Sequence, residues 1–242
     1  MRRFLSDAFH RVTDLFSTRA AAPKSVAVPG KFQEYKAKAE QGDAEAQFSL
    51  GFCYDDGRGV KKDYAEAVKW YRKAAGQNFA PAQFNLGYCY ANGQGVKKDE
   101  EEAVKWFTKA AEQNYAPAQS NLGYCYDNGH GVAQDYVEAV KWYRKAAMQG
   151  HTEAQFNLGY CYGSGQGVGK DKVEAYAWFS MAAKTDSDAA ESRALLRKGL
   201  TPQQFTDAQK RMKELHWQIA AAALQSRPGP AKGKPEGEKR SE

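Results

Sequence analysis

Four cysteines, four histidines and a run of glycines are the residues that could carry chemistry here. Cys53, Cys89, Cys125 and Cys161 stand 36 residues apart, one in each copy of a repeated stretch. Zinc needs a second cysteine or histidine at short spacing. His10, His130, His151 and His216 recur at no such spacing. Equivalent positions on packed helices lie roughly 8–10 Å apart, beyond the about 7 Å that a disulfide tolerates between Cα atoms. The thiols therefore read as small buried apolar side chains, in keeping with a reducing, cytoplasmic compartment. Gly163-Ser164-Gly165-Gln166-Gly167-Val168-Gly169 imitates a nucleotide-binding loop, but it follows a helix and has an equivalent in every copy, so it is a connector. No Ser-x-x-Lys occurs. The expectation is a chain without enzymatic activity, cofactor or metal.

The elements that position these residues follow from the repeat. Leu50-Gly51, Leu86-Gly87, Leu122-Gly123 and Leu158-Gly159 keep the 36-residue step, as do Trp70, Trp106, Trp142 and Trp178. A fixed period of this size marks a stacked solenoid. Each unit reads as two helices. Helix A covers about 44–54, 80–90, 116–126 and 152–162; helix B covers about 64–76, 100–113, 136–149 and 172–184. Asp63, Asp99, Asp135 and Asp171 stand where helix B needs an N-cap. Gly42, Asn78, Asn114 and Gly150 stand where helix B must end left-handed. Gly51, Gly87, Gly123 and Gly159 fall in mid-helix, which costs about 0.5–1 kcal/mol relative to alanine. Close approach of helix B would offset that, with Ala67, Ala103, Ala139 and Ala175 as the expected opposite surface.

The ends differ from the body. Of the formal charge of +6, residues 1–30 contribute five Lys/Arg against two Asp, and residues 227–242 contribute five against three acids. The repeat body is nearly neutral and offers no basic stripe for nucleic acid. Residues 1–22 place Phe4, Leu5, Phe9, Val12, Leu15 and Phe16 on one helical face. Three readings stay open for this segment: docking on the solenoid, an interfacial membrane anchor through residues 1–19, and targeting, against which Asp7 and Asp14 argue. The expected domains are an amphipathic helix and linker (1–30), the repeats (31–184), C-terminal capping helices (185–225) and a disordered tail (226–242). Thr201, Pro202 and Gln204 compose a capping box at the start of the last helix.

Ala82-Gln83-x-x-Leu86-Gly87-x-x-Tyr90, Gly93-x-Gly95-Val96, Asp99 and Ala103-x-x-Trp106-x-x-Lys109-Ala110-Ala111 together resemble the Sel-one-like repeat family, a branch of the tetratricopeptide-like helical solenoids. The pattern holds four times. It implies an all-α, right-handed α/α solenoid of four helix-pair repeats with an N-terminal half-repeat and C-terminal capping helices. It also implies an adaptor or scaffold that binds a protein or peptide segment in a concave groove lined by helix A. A monomer is expected, with register-shifted self-association of the near-identical repeats as the alternative. A cysteine-rich branch of the family carries paired cysteines and has been linked to β-lactam binding; this chain has one cysteine per repeat, so that activity is not carried over.

Registered on that pattern, the groove residues are Phe48, Phe84 and Phe156; Phe52, Tyr88, Tyr124 and Tyr160; Asp127; and Asn92 and Asn128. Aromatic anchors with polar neighbours suit the centre of a binding surface. Four units at roughly 10 Å each would hold on the order of ten extended residues at about 3.3 Å per residue. Asp55, Asp56 and Asp127 favour a basic segment. A scaffold held at a membrane surface by the N-terminal helix is the second reading.

Overall fold

The structure, a computed structural model, describes residues 30–225. The N-terminal helix, its linker and the tail expected beyond these bounds lie outside the described residues. Eleven helices follow in order among the described residues, with no strand. They are α1 (Phe32–Glu40), α2 (Ala44–Asp56), α3 (Tyr64–Gly76), α4 (Ala80–Asn92), α5 (Glu100–Glu112), α6 (Ala116–Asn128), α7 (Tyr136–Met148), α8 (Thr152–Ser164), α9 (Lys172–Ala182), α10 (Ser187–Arg197) and α11 (Pro202–Gln225). Helices α2/α3, α4/α5, α6/α7 and α8/α9 are the four pairs of an all-α solenoid. Helix α1 precedes them as an unpaired helix B.

Local chemistry sets the helix ends. A side-chain oxygen of Asp63, Asp99, Asp135 and Asp171 accepts from the amides of Glu66 (2.9 Å), Glu102 (2.9 Å), Glu138 (3.0 Å) and Glu174 (3.1 Å), three residues on in each helix B. That satisfies a donor the first turn leaves open. Helix A runs two residues beyond its expected end in every unit. It stops only at Gly57, Gly93, Gly129 and Gly165, whose φ values of 76°, 68°, 74° and 87° are left-handed. Thr201 and Gln204 form the reciprocal capping box, at 3.2 and 3.0 Å.

Two glycine positions hold the stack together. In mid-helix, a Cβ at Gly51, Gly87, Gly123 or Gly159 would lie 2.7–2.9 Å from a ring carbon of Tyr71, Phe107, Tyr143 or Phe179. The close approach is therefore made by an aromatic ring of helix B. The alanines expected opposite are next in line through their carbonyls, Ala67 O at 3.1 Å and Ala103 O at 3.0 Å. In the loops, a Cβ at Gly95, Gly131 or Gly167 would lie 2.1–2.2 Å from the carbonyl oxygen of Tyr64, Glu100 or Tyr136 in the preceding unit. Each loop thus rests on the start of the helix B before it, at a distance only glycine permits. Gln77, Gln113 and Gln149 tie the turns, donating to the side-chain oxygens of Gln47 (2.8 Å), Gln83 (2.6 Å) and Gln119 (2.7 Å).

The C-terminal end breaks the repeat. Leu215 of α11 joins Trp178 in one buried cluster, with Met212 and Ile219 packed against it. Trp178 donates to Glu174 at 3.1 Å, and Arg211 of α11 pairs with the same carboxylate. Trp70, Trp106 and Trp142 instead lie under Lys73, Lys109 and Lys145, whose ammonium groups sit 3.8–4.1 Å from the ring centroids. Trp217 and Leu224 of α11 stay exposed. No helix among the described residues is long and apolar enough to cross a membrane.

Candidate functional site

The faces of helix A decide which residues can meet a partner. In α4, Phe84, Gly87 and Ala91 turn to α5. Ala82, Leu86 and Cys89 join Ala67, Val68, Tyr71 and Ala74 of the preceding helix B. Residues three, four and seven apart share a face, which leaves one further stripe: Pro81, Asn85, Tyr88 and Asn92. The equivalents are Glu45-Ser49-Phe52-Asp56 in α2, Pro117-Asn121-Tyr124-Asn128 in α6 and Glu153-Asn157-Tyr160-Ser164 in α8. Side by side, the four stripes form the A-helix wall.

This placement corrects part of the expected groove. Phe48 and Phe84 are 2% and 1% exposed. Their ring centroids lie 5.8 Å from Tyr71 and 5.6 Å from Phe107, with Phe79 and Tyr115 closing the other side at 5.5 and 5.7 Å. Phe156 turns the same way, 5.5 Å from Phe179, and is half-buried. These three positions belong to the seam between helices A and B. Asp127 belongs there too. It is buried, and Tyr143 donates to its carboxylate at 3.5 Å. Burial raises its pKa to about 6, against the opposing hydrogen bond from Tyr143. Asp55 is held likewise by Tyr71, at 3.1 Å. Neither carboxylate is a groove charge.

Phe52, Tyr88, Tyr124 and Tyr160 do stand on the wall stripe. The first three are nearly covered and Tyr160 is half-buried. Two of them are covered from their own loops: Arg58 sits 5.2 Å over Phe52, and His130 stacks on Tyr124 at 5.5 Å. Asn92 and Asn128 form the accessible edge of the wall, each donating to the carbonyl of the tyrosine one turn back, at 3.0 and 3.1 Å. Asp56 is paired with Arg58.

Reasoning from sequence missed the column between these rings. Ser49, Asn85, Asn121 and Asn157 are 1%, 1%, 2% and 5% exposed. Ser49 Oγ, both amide atoms of Asn85, and the Nδ2 atoms of Asn121 and Asn157 have no hydrogen-bond partner among the described residues. An unpaired buried polar group costs about 1–3 kcal/mol; Ser120 Oγ, Asp127 Oδ1 and the Nε1 atoms of Trp70, Trp106 and Trp142 are in the same state elsewhere in the stack, while this column repeats it along one face of helix A. The signal was available: an asparagine directly before Leu-Gly in three of four units.

The four thiols are free and buried, and burial raises those of Cys125 and Cys161, the former to about 12. Thiols held so far from ionisation are poor nucleophiles. Among the described residues no group of three His, Cys, Asp or Glu side chains stands close enough to hold a metal.

A family model for the Sel1 repeat matches residues 44–79, 80–115, 116–151 and 152–186, more than half of the chain. A Sel1 repeat protein from Oxalobacter formigenes is 37% identical with a TM-score of 0.66, over 78% of this chain and 82% of that one. A protective antigen of uropathogenic Escherichia coli with an SLR fold is 31% identical with a TM-score of 0.50, over 87% of this chain and 54% of that one. The secretory immunoglobulin A-binding protein EsiB of Escherichia coli O6:H1 is 45% identical over 42 residues, 17% of this chain and 9% of EsiB. The matched stretch spans less than a tenth of the curated relatives.

Proposed function

The chain belongs to the Sel1 repeat family, whose members are in general protein–protein interaction scaffolds, and we propose that it binds an extended peptide segment of a partner along its A-helix wall. The observation that carries this is the column of buried amide donors without a partner, the Nδ2 atoms of Asn85, Asn121 and Asn157. Side-chain amides offer both a donor and an acceptor. Repeated in three of the four units, their donors match the repeating C=O groups of an extended backbone, which are the same whatever its side chains. The tyrosines beside them supply rigid apolar contact with a polar tip, and Asn92 and Asn128 supply the rim. Affinity then comes from the amides, and selectivity from what surrounds them.

Relatives support the class of ligand and not its identity. EsiB is named for binding another protein, and the shared stretch is little longer than one repeat.

Ten-residue peptides selected from a random display library against the full chain test the reading. They should bind the wild type and lose at least tenfold in affinity on Asn85→Ala/Asn121→Ala, by fluorescence anisotropy. The outward-facing variant Lys105→Ala/Lys141→Ala should leave affinity unchanged. Selected peptides that ignore the asparagine pair would overturn the assignment.

A further inference from the structure

The wall is not uniform along its length, and the difference is one of charge. Its first position in each stripe reads Glu45, Pro81, Pro117, Glu153. The two middle units present prolines there, so charge is confined to the ends. At the N-terminal end Glu45 is exposed to water and Asp56 is neutralised by Arg58. At the C-terminal end Glu153 is half-buried, and no lysine, arginine or histidine among the described residues lies within ion-pair distance of it. The one other acid whose charge acts on it is Asp186. Asp186 caps α10, accepting from the amides of Asp188 (2.8 Å) and Ala189 (3.0 Å). Burial first and Asp186 second raise the pKa of Glu153 to about 7. Thr152 and Thr185 are hydrogen-bonded at 3.0 Å and join the ends of the two segments that carry these acids.

One helical turn from Glu153 on the same stripe stands Asn157, 5% exposed, whose Nδ2 has no partner. A carboxylate and an amide donor four residues apart on one face are the complement of a residue that offers a cation on its side chain and a carbonyl on its backbone. Resting on the proposed peptide reading, we infer that the C-terminal unit of the wall is a specificity subsite for a lysine or arginine side chain of the bound segment. The cation pairs with Glu153 in the field of Asp186, and the Nδ2 of Asn157 donates to the adjoining peptide carbonyl. The preference for a basic partner expected from Asp55 and Asp127 thus moves to different residues, since those two carboxylates are spent inside the helix pairs on Tyr71 and Tyr143. It also gives the segment a direction: the middle units hold backbone, and the fourth unit fixes the register.

The test uses the full chain and peptides from the display selection, synthesised acetylated and amidated so that their ends carry no charge. Each Lys or Arg is replaced singly by Gln, and every peptide is titrated against wild type, Glu153→Gln and Asn121→Ala, after melts show that the variants are folded. The expected result is a basic residue recurring at one position. Its replacement should weaken binding about tenfold, as should Glu153→Gln, and the two losses should not add, because both remove one charge pair. Peptides that lose affinity on Asn121→Ala but not on Glu153→Gln would overturn the subsite and leave the wall reading standing. Peptides indifferent to both, or no peptide selected, would remove the wall reading and the subsite with it.

Discussion

The two long faces of helix A vary in different ways. On the face toward helix B, one set of changes from unit to unit is answered across the seam, although the change from Phe84 to Ser120 is not, since Ser120 Oγ is buried without a partner. Asp55 meets Tyr71 and Asp127 meets Tyr143, but Ala91 meets Phe107 and Gly163 faces a helix carrying Phe179. A hydroxyl appears where there is a carboxylate to receive it and vanishes where there is not. On the wall, Ser49 becomes Asn85, while Glu45 becomes Pro81, then Pro117, then Glu153; the prolines follow the uncapped starts at Phe79 and Tyr115, and the glutamates follow the capping side chains of Asp43 and His151. Variation that is compensated within a chain serves its stability. The Ser49-to-Asn85 change has no hydrogen-bonding answer among the described residues and is free to serve something outside them.

Breaking the seam should cost most. A Cβ at Gly123 would stand 2.7 Å from the ring of Tyr143, and Gly123→Val adds two more carbons. We expect about 3 kcal/mol of destabilisation, at the upper end for an overpacked core, read by urea unfolding. Cooperative unfolding at the wild-type midpoint would show that the helices do not meet there.

The compensated pair should give a smaller and more specific signal. Asp127→Ala leaves the hydroxyl of buried Tyr143 unpaired, and Tyr143→Phe removes the bond that lowers the pKa of Asp127. Each single change should cost about 1–2 kcal/mol at pH 8. The double change recreates the Ala91/Phe107 pair of the second unit and should recover most of that loss. It should also alter pH dependence. Asp127 titrates near 6 in the folded chain against 3.8 unfolded, so the folded state holds the extra proton between those values. The stability this contributes is present below about pH 4 and is lost as pH rises through 6. The wild type should therefore lose on the order of 2–3 kcal/mol relative to the double variant between pH 4 and 7. Parallel stability profiles would mean that Asp127 is not held as described.

Most of the seam was legible in sequence, because its constraints are local. The caps at Asp63, Asp99, Asp135 and Asp171, the left-handed Asn78 and Asn114, and the mid-helix glycines each follow from the chemistry of one residue. The site was less legible. Register on a family pattern placed Phe48, Phe84, Phe156 and Asp127 one face away from where they lie, since a residue's neighbours around a helix depend on how the stack winds. The Asp/Tyr and Ala/Phe alternation was in the sequence all along and would have assigned those positions to the seam. Asn85, Asn121 and Asn157 were passed over because a polar residue beside Leu-Gly reads as surface until its burial is known.

The wall should cost least to alter. Asn85→Ala and Asn121→Ala each delete an unpaired buried amide donor, so stability should stay within about 1 kcal/mol of wild type or rise. Peptide affinity should fall all the same. A large loss of stability would return these asparagines to the core.

The most direct measurement is where a bound peptide touches the chain. A photo-crosslinking side chain is placed in turn at Asn92 and Asn128, on the edge of the wall, and at Lys105 and Lys141, on the outer face of helix B. A selected peptide is then added and the sample irradiated. Cross-links from positions 92 and 128 alone are the expected result. Cross-links from 105 and 141, or equal yields from all four positions, would contradict a partner lying on the A-helix wall.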